Sequence, residues 1–161
     1  MNLDNLLEAM PSQPLFLIAG PCVVESKDLC MEVAETALQL CSERGIPYVF
    51  KASYRKANRS SAASFTGIGD DQALSVLAEV RSTYAVPVLT DIHNETEAQK
   101  AAASVDVLQI PAFLARQSDL LQAAARTGRW VNIKKGQFMS PSSMKFAADK
   151  VSQEGNQRIW L

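Results

Sequence analysis

Short apolar runs separated by amphipathic stretches set the rhythm of this chain. Leu15-Phe16-Leu17-Ile18-Ala19 is continuous and apolar, is broken by Gly20-Pro21, and predicts a buried strand. Ser26 is a suitable N-cap for a following helix whose apolar face runs through Leu29, Val33, Ala37 and Leu40. Arg44 and Gly45 form a fitting stop, a cation in the last turn and then a glycine. The next strand is Pro47-Tyr48-Val49-Phe50, after which the apolar pattern lapses until a turn at 65–69. A helix opening at Asp70 or Asp71 carries Leu74, Leu77 and Val80. A third strand covers 87–92, with Pro87 at its first position, where proline is tolerated. An alanine-rich helix from about Glu95 to Ala103 is capped by Asn94 or Thr96. A fourth strand covers 106–110 and stops at Pro111; a helix spans about Ser118 to Thr127 and stops at Gly128; a fifth strand covers 130–134. Ser140-Pro141 is an N-cap followed by proline at the first helical position, opening a helix with Met144, Ala147 and Val151 on its apolar face. Residues 158–161 read as a sixth strand, inside which the sequence ends. Residues 1–14 read as a leader of about one helical turn, closed by Pro11 and Pro14, and 15–161 as a single domain.

Strand and helix thus alternate five times before a last strand. Such alternation implies right-handed βαβ units and a parallel sheet. Two architectures fit: a doubly wound open sheet, or part of a (β/α)8 barrel. Neither G-x-G-x-x-G nor G-x-x-x-x-G-K-[ST] occurs, which weakens a nucleotide-binding open sheet.

Composition narrows the function classes. The 161 residues are 47% apolar, enough for one domain with a real core. Net charge is -1, so no global field recruits nucleic acid or a membrane, and any cation cluster acts locally. No stretch approaches membrane-spanning length and the start lacks a signal-peptide pattern, so a cytoplasmic location is the expectation. Cys22, Cys30 and Cys41 contain no C-x-x-C pair. Cys30 and Cys41 fall near one helical face and read as core fillers, whereas Cys22 follows a strand in Gly20-Pro21-Cys22. The single histidine, His93, excludes a multi-histidine metal site within one chain.

The densest chemistry lies in the segment from Lys51 to Ser61. Lys51, Arg55, Lys56 and Arg59 bring four cations into nine residues, interleaved with serines and Asn58. No apolar stripe runs through them, so the segment is a polar loop at a strand's end, suited to phosphate and carboxylate oxygens. Other strand ends repeat the theme: Cys22 and Glu25 after the first, Asp91 and His93 at the third, Gln109 and Arg116 at the fourth, Lys134 and Lys135 at the fifth. A barrel draws its ligands from several strands in this way, an open sheet only from those beside its switch point. Five contributing strands favour the barrel, and converging cations favour an anionic ligand. Each residue also has a plainer reading. One of two adjacent strand-end lysines should face inward, but both can snorkel. Asp91 and His93 share a face, and read either as a catalytic pair or as a simple hydrogen bond that tidies a loop. Gln109, inside an apolar strand, needs partners. Cys22 alone is not a metal site, and from the residues it reads as a small buried side chain.

The chain resembles the 3-deoxy-D-manno-octulosonate 8-phosphate synthases across residues 15–161. The likeness rests on Ala19-Gly20-Pro21-Cys22-Val23-Val24-Glu25-Ser26, on 45–53 running on through Lys56-Ala57-Asn58-Arg59-Ser60-Ser61, on Thr90-Asp91-Ile92-His93, on 108–117 and on Asn132-Ile133-Lys134-Lys135. The related 3-deoxy-D-arabino-heptulosonate 7-phosphate synthases share the G-P-C opening but carry K-P-R-T-S where this chain has Lys51-Ala52-Ser53. They are the second choice.

The resemblance implies a (β/α)8 barrel that condenses phosphoenolpyruvate with arabinose 5-phosphate, releases phosphate and serves lipopolysaccharide synthesis. It implies that Lys51, Lys56 and Lys134 hold the carboxylate and phosphate of phosphoenolpyruvate, with Ser53, Gln109, Arg116 and the Ala112 backbone also at the substrates. It implies that Asn58, Arg59 and Ser60 bind arabinose 5-phosphate, partly across a subunit boundary in a homotetramer, and that Asp91 orients the sugar or a water on a metal. Cysteine at the position of Cys22 goes with a divalent metal (zinc, iron, manganese or cobalt), and no organic cofactor is implied. Such a barrel takes about 250 residues. The expectation is therefore a barrel interrupted in its sixth strand, lacking further metal ligands and inactive by itself, or a phosphate-binding remnant.

Overall fold

A computed structural model describes residues 3–58, 61 and 63–161. Twelve regular elements alternate in it. They are α1 (Leu3–Ala9), β1 (Leu17–Ala19), α2 (Lys27–Ser42), β2 (Tyr48–Lys51), α3 (Asp70–Tyr84) and β3 (Val88–Asp91), followed by α4 (Glu95–Ala102), β4 (Val107–Ile110), α5 (Ser118–Arg126), β5 (Trp130–Ile133), α6 (Met144–Gln153) and β6 (Ile159–Trp160). The strands follow one another in chain order, β1-β2-β3-β4-β5-β6. A doubly wound sheet reverses its strand order at a switch point; this one does not, and its order is that of a (β/α)8 barrel read through six strands. Residue contacts divide the chain into two compact units, Met1–Leu89 and Thr90–Leu161.

In the first unit, β1 pairs with β2 and β2 with β3, all parallel. The leader is more helical than one turn: α1 runs on into a 3-10 turn at Met10–Ser12, and Leu7 and Met10 are fully buried. The run 15–19 is less buried than its composition predicts, with Leu15 61% and Leu17 39% exposed. As an edge strand of the sheet, β1 has a neighbour on one side only. Tyr48 of β2 donates its hydroxyl to the Ala19 carbonyl at 3.0 Å, and its burial raises the phenol above its usual range. Gly20 lies so close to β2 that a Cβ there would overlap the Lys51 carbonyl oxygen.

The predicted cap of α2 is present, Ser26 Oγ accepting from the Leu29 amide at 3.2 Å. The buried face is rotated from the expected one. Cys30, Ala34 and Cys41 are buried, Leu29, Val33 and Ala37 are intermediate, and Leu40 is 48% exposed. Both stripes keep helical spacing, and packing against α3 and β2 selects the one that carries the small side chains. The core role expected for Cys30 and Cys41 thus holds. Burial, seconded by the Glu25 carboxylate, pushes the Cys30 thiol from 9.0 up to about 11. Cys22 differs from the small buried residue expected from the sequence: it is exposed, because it lies past the end of β1.

In the second unit β4 pairs with β5 and β5 with β6, again in parallel. The Ile92 amide, just beyond β3, donates to the Gln109 carbonyl of β4 at 3.0 Å. Helices α4 and α5 pack together, as do α5 and α6, so consecutive helices are neighbours. Met144, Ala147 and Val151 of α6 are buried as the sequence pattern predicts, and α5 buries Leu120, Leu121, Ala124 and Ala125. Asn156 closes the turn into β6 by donating to the carbonyls of Ala125 (3.1 Å) and Arg129 (2.9 Å). No helix among the described residues is long and apolar enough to cross a membrane.

Two outcomes follow from this packing. Gly20→Ala should lower stability by about 2–3 kcal/mol in thermal unfolding, since the opposing atom is backbone and cannot swing aside; an unchanged melt would contradict the close approach. Cys30 holds its proton in the folded chain when the unfolded chain has lost it. The stability this represents is complete below pH 9 and is lost as pH rises toward 11. Cys30→Ala should remove part of that alkaline loss in pH-dependent unfolding, and superimposable profiles would count against it.

Candidate functional site

Each unit carries its own polar cluster at the carboxyl ends of its strands. In the first, β2 ends at Lys51 and the chain turns through Ala52 and Ser53. Ser53 is 1% exposed and its backbone is clamped, pairing with Val23 and accepting from the Val24 amide at 3.0 Å. Its hydroxyl accepts from Lys51 Nζ at 3.0 Å and from Lys56 Nζ at 2.8 Å. Two ammonium groups are therefore held on one small neutral oxygen. The arrangement raises local positive potential, which suits a multiply charged oxyanion. Lys56 is aimed by the Lys56 amide donating to the Thr66 carbonyl at 2.8 Å. It lines a cavity of about 370 Å³ with Arg55, Ala57, Thr66, Gly67, Gly69 and Asp70.

Three of the predicted residues of this unit therefore come together: Lys51, Ser53 and Lys56. Asn58 is exposed on the loop beyond them. Arg59 and Ser60 lie outside the described residues. Cys22 offers one exposed thiol.

In the second unit, Asp91, Gln109 and Asn132 form a chain across the ends of three consecutive strands. Gln109 Nε2 donates to Asp91 Oδ1 at 2.5 Å, and Asn132 Nδ2 donates to Gln109 Oε1 at 2.8 Å. Asp91 and Gln109 are 7% and 6% exposed, so the need for partners predicted for Gln109 is met. Gln109 and Asn132 are register partners on β4 and β5. Asn132 was not among the residues singled out from the sequence. Its signal was there: it sits two before Lys134 in a strand whose alternate residues Val131 and Ile133 are apolar.

Asp91 accepts from Gln109, and His93 pairs with Glu97. His93 Nδ1 lies 3.1 Å from Glu97 Oε2, which also accepts from the His93 amide at 2.7 Å. Glu97 Oε1 accepts from Asn94 Nδ2 at 2.6 Å, while Asn94 Oδ1 caps the Glu97 amide at 3.1 Å. This is a capping box that reaches one residue further back than usual. The buried Glu97 therefore fixes the turn after β3. The spacing Asn94-Glu95-Thr96-Glu97 was its sequence signal.

The other predicted residues of this unit lie around the strand ends. Lys134 is exposed just after β5, with its amide donating to the Ile110 carbonyl at 3.1 Å. Lys135, also exposed, donates instead to the carbonyls of Gly136 (2.9 Å) and Met139 (3.1 Å) and so braces the loop. Neither of the adjacent lysines is buried, because both lie past the strand. Ala112 begins a 3-10 turn that ends at Leu114. Arg116 is exposed and lines a cavity of about 510 Å³ with Phe138, Met139, Ser140, Ser143, Phe146 and Lys150. Among the described residues no group of three His, Cys, Asp or Glu side chains is placed to hold a metal ion. Those residues do not by themselves fit the metal centre that the resemblance implies.

Several curated proteins are similar to the chain. It is 56% identical over 147 residues to a 2-dehydro-3-deoxyphosphooctonate aldolase of Koribacter versatilis (strain Ellin345), covering 91% of the chain and 53% of the relative. It is 51% identical over 154 residues to the protein of that name from Thiobacillus denitrificans (strain ATCC 25259 / T1), covering 96% and 55%. Against that of Polaromonas naphthalenivorans (strain CJ2) it is 55% identical over 138 residues, covering 86% and 48%. The chain spans about half the length of the curated relatives it matches. The model of the DAHP synthetase I family matches residues 11–161, nearly the whole sequence, and the chain belongs to that family.

Proposed function

We propose that the complete protein condenses phosphoenolpyruvate with arabinose 5-phosphate, forming 3-deoxy-D-manno-octulosonate 8-phosphate and inorganic phosphate for lipopolysaccharide synthesis. The observation that carries the proposal is the pair of ammonium groups, Lys51 and Lys56, converging on the Ser53 hydroxyl. The names of the relatives, at 51–56% identity, support the octulosonate product over the heptulosonate alternative.

In this reading C3 of phosphoenolpyruvate attacks the sugar aldehyde carbon, a C–C bond forms, and the aldehyde oxygen takes up a proton. Water adds at C2, and phosphate leaves as the C2–O bond to it breaks. Phosphoenolpyruvate brings a carboxylate and a phosphate, and the chemistry shifts charge among their oxygens. Lys51, Lys56 and Lys134 bind those oxygens and stabilise the shifting charge. Ser53 spaces the first two lysines, and Gln109 and the Ala112 backbone add neutral donors. Asp91 orients the sugar. Asn58, Arg59 and Ser60 bind the arabinose phosphate, with Arg116 also at the substrates and part of the site completed by a neighbouring subunit of a homotetramer. Positioning two anionic reactants supplies much of the rate.

Cys22 would give the complete protein one thiolate ligand to a divalent metal (zinc, iron, manganese or cobalt), which supplies polarisation of the aldehyde or positioning of a water. Its remaining ligands would come from residues beyond those described, and no step here passes through it. A cytoplasmic location is proposed with this function.

The test is phosphate release by the full-length protein. Turnover is expected with phosphoenolpyruvate and arabinose 5-phosphate and not with erythrose 4-phosphate; the reverse preference would overturn the reading. Lys56→Ala and Lys134→Ala should each lower kcat/KM by about 100-fold or more. Full activity in either variant would remove that residue from the site. The 161 residues expressed alone should bind phosphoenolpyruvate in calorimetry without turning it over.

A further inference from the structure

The chain of amides at the ends of β3, β4 and β5 has a direction. Asp91, as a carboxylate, can only accept, so the Gln109 side chain must turn its NH2 toward it. That leaves Gln109 Oε1 facing β5, where only a donor is tolerated, and the Asn132 NH2 fills that place. The register Gln109↔Asn132 makes the contact a direct cross-strand pair, and the Ile92 amide bonded to the Gln109 carbonyl holds the backbone beneath it. A carboxamide has two orientations of nearly equal shape. Here it is fixed from both ends, and Gln109 keeps a second Nε2 hydrogen for an acceptor. Asp91 pulls on the nitrogen and Asn132 on the oxygen, so losing either loosens the choice.

We propose that Asn132 is a positioning residue for substrate binding. It holds the Gln109 carboxamide so that its remaining N–H is presented to an anionic oxygen of phosphoenolpyruvate. Asn132 itself does not touch the substrate. The inference rests on the proposed reading of Gln109 as a substrate donor and adds to it the residue that aims that donor. A half-buried asparagine in an otherwise apolar strand is thereby given a task beyond filling space.

The test is a double-mutant cycle in the full-length enzyme, with KM for phosphoenolpyruvate and kcat read separately. Gln109→Ala should raise KM. Asn132→Ala should raise it by about 5- to 10-fold, the effect of one hydrogen bond, with a smaller change in kcat. In the Gln109→Ala background, Asn132→Ala should add nothing further. Asn132→Asp supplies a second readout. When protonated it can still donate to Gln109 Oε1; when ionised it opposes one acceptor with another. Relative to the wild type, its activity should therefore fall as pH rises through the new carboxyl's pKa, a profile that simple loss of packing does not produce. If Asn132→Ala leaves KM unchanged, or multiplies it equally with and without Gln109, the inference is overturned while the substrate reading stands. If Gln109→Ala itself leaves KM unchanged, both fall. Thermal melts of all variants identify any that fail to fold, and for those the comparison passes to Asn132→Asp measured across pH.

Discussion

Parallel pairing is the constraint on which the rest of this structure depends. Neighbouring parallel strands cannot be joined by a tight turn; the chain must cross back over a face before the next strand begins. Each crossing here is a helix, so the strands become covered, and β2, β3 and β4 are almost entirely buried. Polar side chains are then confined to where a strand ends and the chain turns outward. Lys51 and Ser53 after β2, Asp91 at the end of β3, Gln109 near the end of β4 and Lys134 after β5 all obey this rule.

The two clusters answer the cost of burying polar atoms in different ways. Ser53 is nearly inaccessible, yet its hydroxyl accepts from two half-buried lysines. Gln109 is nearly inaccessible and makes hydrogen bonds in both directions, donating to a carboxylate and accepting from another amide. In the first case the buried atom gathers charge; in the second it transmits orientation. Both are held by backbone pairing close beside the polar atoms.

Much of the fold was legible because strand and helix periods are local properties. The face of α6 appeared as Met144, Ala147 and Val151, and the caps at Ser26 and Asn94 appeared in the residue types. The face of α2 was not legible. Leu29-Val33-Ala37-Leu40 and Cys30-Ala34-Cys41 are both apolar at helical spacing, and only tertiary packing, against α3 and β2, separates them. The exposure of Leu15 and Leu17 was hidden for the same reason, since an edge strand and a central one can share a composition. In the candidate site, Gln109 was found because a lone amide in an apolar strand requires partners. Which partners it takes depends on strands distant in sequence, so Asn132 escaped notice.

The sequence by itself determined the alternation of elements, their caps, the placement of polar residues at strand ends and the motifs that mark the family. These follow from periodicity, from the preferences of single residues and from short segments of chain. The tertiary structure decided strand order and register, which face of α2 is buried, that Cys22 is exposed, and the hydrogen-bonded order Asp91, Gln109, Asn132. Those depend on which residues meet across strands separated by crossovers, and a hydrogen bond between residues 18 or 23 apart has no local signature.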